Sequence, residues 1–246
     1  MASNVSRSTG IIVLAYGTPE TLDDVEPYYT HIRHGRKPSP QALADLVERY
    51  RRVGGQTPLY ELTKGVADQL RARLEAQYPG QYRVYLAMKH WHPFIGDVVP
   101  QLAADGLADV VGVVLAPHYS RYSLEGYRTY TEQALETLGN PFEFHFVEHW
   151  HDHQLFRELI AMRIREALAD FPADAERPIT VLFSAHSLPA KIERMGDPYV
   201  TQLQESAAAI AGMAGVDHHR FCFQSAAPTP EPWLGPDIVE FLGTLH

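Results

Sequence analysis

Short apolar, β-rich runs alternate along this chain with longer stretches of helical period, and that alternation admits few architectures. Strands separated by helices give an α/β fold with a largely parallel sheet, because a parallel pair needs a crossover long enough to hold a helix. Residues 10–15, 82–87, 110–116, 142–147, 179–184 and 220–224 read as strands. Apolar residues recur at three- and four-residue spacing over 41–51, 62–78, 124–138, 154–170 and 199–213, which predicts helices there, with further helices filling most remaining gaps. A boundary near Trp150–His153 divides the chain into two similar halves, 10–150 and 151–246. The second half holds only two expected strands and stops within or just after a helix beginning near Pro236, so it reads as incomplete.

Composition narrows the function classes. The 246 residues are 45% hydrophobic and 21% charged, enough to bury a sizeable core. A net charge of −9 leaves no basic excess to neutralise phosphates, which argues against a general nucleic-acid partner. The single cysteine, Cys222, can neither close an internal disulfide nor hold an iron–sulfur cluster, which needs about four thiolates. No run of about 18 apolar residues occurs, and the polar first ten residues lack the apolar stretch of a secretion signal. The expectation is a cytoplasmic, soluble monomer.

Three strands end alike, in LAYGTP (14–19), VLAPHYS (114–120) and SAHSLP (184–189). Ligands of open α/β sheets gather at the carboxyl ends of strands, which directs attention to Tyr16, His118 and His186. Arg33, His34, Arg36 and Lys37 make a compact basic patch in an acidic protein. The row His145, His149, His151 and His153 alternates as metal ligands can, but it crosses an expected strand end and is set aside. Lys89, His90 and His92 in KHWHPF follow the second strand and are read first as structural, with an assisting role open.

Taken with YYTHIRHGRKP (28–38), GGQTPL (54–59), KHWHPF (89–94), GDPY (196–199) and PWLGPD (232–237), these stretches resemble the ferrochelatase family, most closely its soluble coproporphyrin III branch. The resemblance spans residues 11 to 240 and implies two Rossmann-like domains with a porphyrin cleft between them. It further implies a lyase-class enzyme of heme biosynthesis that inserts Fe2+ into coproporphyrin III or, second, protoporphyrin IX, with iron as substrate and no tightly bound cofactor. An isolated histidine is more often a satisfied core residue, but at the matching position of SAHSLP the resemblance makes His186 the metal ligand and proton acceptor. Carried over by position, Tyr16 lies against the macrocycle and Arg33, Arg49, Tyr50, Thr57 and Tyr127 contact the porphyrin.

Family members continue past PWLGPD with a strand, a loop bearing a carboxylate that faces the histidine, and a final helix. Roughly 60 residues, about two βα units, are therefore expected beyond His246. Glu231, Asp237 and Glu240 do not clearly replace that carboxylate. Two rival readings follow: a tetrapyrrole-binding protein without turnover, and a cobalt or nickel chelatase of related fold.

Overall fold

The computed structural model describes residues 8–172, 179–227 and 229–244. They fall into two compact units, the described residues of 8–116 with 124–147, and 117–123 with the described residues from 148 onward.

The first unit is built on strand β1 (Thr9–Ala15), whose residues Ile12, Val13, Leu14 and Ala15 are all buried. A continuous apolar run is what a central parallel strand needs, because both its faces are covered. β1 lies between β2 (Tyr82–Met88) and β3 (Asp109–Val114), and β4 (Glu143–Val147) pairs with the far side of β3. Every pair is parallel, with Ile12 opposite Tyr85 on one side and Gly112 on the other. The chain leaves β1 for β2 and then returns past β1 to β3. Right-handed crossovers therefore put the intervening helices, α3 (Leu59–Gln77) and α4 (Ile95–Ala104), on opposite faces. Val13, Val84 and Ala67 of α3 form one buried cluster, extended by Leu70, Leu74 and Leu86. α4 packs with α5 (Glu125–Thr137) and buries Val98, Val99 and Leu102. Helices α1 (Val25–Ile32) and α2 (Pro40–Arg52) follow β1, and Ser39 caps α2 by accepting from the Ala42 amide at 3.2 Å, with Pro40 preset for the first turn.

The second unit pairs β5 (Val181–His186) with β6 (His219–Gln224) in parallel, with His186 opposite Gln224. Between them run the short α7 (Lys191–Arg194) and α8 (Tyr199–Ala214), while α6 (Gln154–Leu168) precedes β5 and α9 (Ile238–Leu242) follows β6. Ala161 of α6 meets Ile210 and Ala214 of α8 in a buried cluster that Phe183 joins. Gly215 ends α8 at φ 71, a left-handed position without Cβ strain for glycine, and the Val216 amide closes the turn on the Ala211 carbonyl at 2.9 Å. Residues 117–123 belong here through polar contacts: the Tyr119 amide donates to Gln202 Oε1 at 2.7 Å, and the Arg121 amide to Asp197 Oδ2 at 2.8 Å.

All six expected strands form, as do the five clearest helices; β3 stops at Val114 rather than at 116, and α3 starts three residues early at Leu59. β5 runs from 181 to 186 rather than from 179 to 184, so His186 is its last residue and not part of the turn. Among the described residues no helix is long and apolar enough to cross a membrane.

Candidate active site

The carboxyl ends of β1 and β3 form a topological switch point, the place where open α/β sheets hold ligands. A cavity of about 340 Å3 lies there, lined by Ala15, Tyr16, Thr63, Leu115 and Tyr127 among others. Tyr16 follows β1 directly, is 44% exposed, and has its ring centroid 4.6 Å from that of His90. Gly17 holds this pose. Its φ is 97, and a Cβ there would stand 2.8 Å from the Trp91 backbone nitrogen, so only glycine fits. Its carbonyl accepts from the buried Tyr28 hydroxyl at 3.1 Å.

Polar groups surround this ring cluster. Thr57 and Thr18 share a hydroxyl hydrogen bond of 2.8 Å. Tyr127 is buried on α5 with Lys89 Nζ 4.9 Å above its ring; burial pushes the phenol up and the ammonium down. Burial also pulls His90 down to about 3, helped by Lys89, His31 and His34. His90, only 4% exposed, shares a 3.1 Å contact between Nδ1 atoms with His31, so one of the two rings donates and the other accepts. Tyr50 of α2 meets the Tyr28 ring edge-on at 6.5 Å. Arg33 and Arg36 hold one another's carbonyls through Nε at 3.3 Å, and Arg49 Nε donates to the Asp45 carbonyl at 3.4 Å. None of these three guanidinium groups has a carboxylate partner among the described residues. Lys37 differs from them, since it pairs with Glu26 at 3.3 Å.

In the second unit the exposed His186 closes β5. Its Nδ1 lies 2.6 Å from the Ser187 carbonyl. A carbonyl can only accept, so Nδ1 carries the proton and Nε2 keeps a lone pair. The backbone beneath is fixed: the Tyr199 hydroxyl donates to the His186 carbonyl at 3.1 Å, the Ser187 amide to Gln224 at 2.7 Å, and the Ser187 hydroxyl to Leu234 at 2.8 Å. Ile192, Tyr199, Leu203, Phe223 and Leu234 pack as a buried cluster in this unit.

The family model described as Ferrochelatase matches residues 8–246. A ferrochelatase of Herpetosiphon aurantiacus is 49% identical over 241 residues, which cover 98% of this chain and 79% of that protein. Coproporphyrin III ferrochelatases of Geobacillus kaustophilus and Geobacillus thermodenitrificans are 44% and 45% identical, each across 98% of this chain and 77% and 76% of their own lengths. The chain belongs to the ferrochelatase family. It is therefore by lineage a metal chelatase of the lyase class.

Of the positions carried over from ferrochelatases, Tyr16 and Tyr127 line one cavity, Thr57 lies on the segment leading into its α3 wall, and Tyr50 joins the aromatic cluster through Tyr28. Arg33 sits at the C-terminus of α1 and Arg49 on the exposed side of α2. Lys89 and His90, read first as structural in the sequence, prove to touch Tyr127 and Tyr16. The signal was available: they follow the carboxyl end of β2, just as Tyr16 follows that of β1. The resemblance of three strand ends is looser than the sequence suggests. Tyr16 follows its strand at once, His186 lies within its strand, and His118 comes four residues after β3, where it bonds Ser206 at 3.0 Å in the second unit. Glu231 is paired with Lys191 at 2.8 Å, and Asp237 caps α9 by accepting from the Val239 amide.

Proposed function

We propose that the protein inserts Fe2+ into a porphyrin, coproporphyrin III before protoporphyrin IX, as a step of heme biosynthesis. The observation that carries this reading is the His186 ring, exposed at a strand's carboxyl end with its Nδ1–H tied to the Ser187 carbonyl and its Nε2 lone pair open. An imidazole nitrogen suits a borderline ion such as ferrous iron, and near neutral pH it also accepts a proton. Insertion replaces two pyrrole N–H bonds with metal–nitrogen bonds and releases two protons, so one such group serves both halves of the reaction. Iron is substrate, and the chemistry calls for no resident cofactor.

Tyr16 and Tyr127 supply apolar ring surface for a flat ligand. Arg33 and Arg49, without carboxylate partners among the described residues, serve the propionates, which guanidinium binds bidentately, and the Thr57 hydroxyl and Tyr50 phenol add donors. Coproporphyrin III carries four propionates against two in protoporphyrin IX, so cationic partners favour it. The coproporphyrin III ferrochelatases among the relatives point the same way. We further propose a cytoplasmic monomer. Steady-state iron insertion with both porphyrins tests the reading, and a higher kcat/KM for coproporphyrin III is expected. Equal or reversed values sink the preference. Tight porphyrin binding without insertion of any metal makes the protein a tetrapyrrole carrier, and turnover only with Co2+ or Ni2+ makes it a different chelatase.

A further inference from the structure

Histidines 145, 149, 151 and 153 form an alternating row in the sequence, and the fold breaks that row in two. β4 ends at Val147, so His145 belongs to the first unit, whereas His149 and His151 lie in the segment that leads into α6 of the second. There His149, His151 and Asp152 each bring a ligand atom within 4.8 Å of the other two. His151 is 5% exposed, and its Nδ1 is buried without a hydrogen-bond partner among the described residues. Its Nε2 faces the Glu205 carboxylate of α8 at 3.6 Å, beyond hydrogen-bond length. The neighbouring polar groups are otherwise occupied. His118, whose ring centroid is 5.6 Å away, bonds Ser206, and Arg157 donates to the His151 carbonyl at 3.2 Å rather than to its ring. A buried polar atom left unsatisfied destabilises the fold, a cost that a ligand would remove.

We propose that His149, His151 and Asp152 bind one divalent transition ion of the zinc class, at a site separate from His186. Two imidazoles and a carboxylate suit Zn2+, Co2+ or Ni2+, and they leave one tetrahedral position for water. Ligand atoms around tetrahedral zinc stand about 3.4 Å apart, so the three must close by at most about 1.4 Å. His149 and Asp152 can supply that movement, because their side chains are 42% and 61% exposed. His151 is the fixed anchor. Glu205 beside its Nε2 stands where a carboxylate orients a metal-bound imidazole, so the ion would pin the segment before α6 onto α8.

The test uses the full chain carrying His186→Ala, which removes the proposed iron ligand, and titrates it calorimetrically with Zn2+ alone. One Zn2+ per chain is expected. His149→Ala and Asp152→Asn should each weaken Kd at least tenfold, and His153→Ala should leave it unchanged. Both informative substitutions are at exposed side chains and should leave the fold intact. As a second readout, Zn2+ should raise the thermal midpoint of the His186→Ala chain and fail to do so once both substitutions are added. No Zn2+ binding by the His186→Ala chain, or equal stoichiometry and affinity in both variants, overturns the proposal.

Discussion

The ends of β1 and β5 are both places where a parallel strand delivers a ring, yet they are made differently. At Tyr16 the neighbours are rings: His90 packs against it, and Tyr28 meets Trp91 edge-on, with Gly17 forced into a left-handed turn against the Trp91 backbone. Around His186 they are hydrogen bonds of the main chain, which leave one ring nitrogen open. The first arrangement makes a surface that a flat apolar body can lie on. The second holds a single lone pair in one direction. On the proposed function, gripping the macrocycle and handling metal and protons would fall to these two kinds of construction, and they should respond to different perturbations.

The largest expected effect comes from His186→Ala. Removing a positioned acid–base group typically costs about 10²–10⁴ in rate, so iron insertion should fall by that much while porphyrin affinity stays within a few-fold of the parent. Optical titration and an insertion assay on the same preparation check it. Loss of porphyrin binding in a folded variant would erase the division between the two strand ends.

A second experiment sharpens the comparison on the β1 side. His90 is neutral in the fold because burial and the nearby cations oppose its protonation, which holds its pKa at about 3. Its folded value lies below the unfolded one, so the unfolded chain binds the extra proton first; stability is complete above about pH 6.5 and is lost as the pH falls toward 3. At pH 5 the loss from this one ring is on the order of 2 kcal/mol relative to pH 7. Denaturant unfolding of the parent and of His90→Gln across that range should show a flatter profile in the variant. Identical profiles would mean that the ring carries no penalty.

The smallest effect is expected at Arg33→Ala. It should weaken coproporphyrin binding by up to about tenfold at low salt and protoporphyrin binding by less, with both losses shrinking as ionic strength rises, because charges at an exposed rim are screened. Equal, salt-independent losses would point to packing.

The sheet was legible because buried parallel strands declare themselves as apolar runs; the Ile12–Ala15 run could hardly be anything else. Helices α1 and α4 were harder, since Pro27 and Pro100 interrupt the periodic pattern in elements of only 8 and 10 residues. Strand position directed attention to Tyr16 and His186, and resemblance added Tyr127. The contact of His90 with His31 joins residues 59 apart, and no local pattern records such a pairing. Likewise, alternation along the chain put His145 beside His149, although the division between the units falls between them.

The bond from His186 to its neighbouring carbonyl has one further consequence. A histidine whose second nitrogen faced a carboxylate or water could pass protons through its ring, taking one in on one side and releasing another on the far side. Here the far side ends at the Ser187 carbonyl, which cannot receive a proton and hand it on. The ring is a dead end, not a wire. Any proton that reaches Nε2 must leave from that same atom, out to solvent from an exposed side chain, before the ring can take the next, so on the proposed function every proton this ring handles would pass through a single atom.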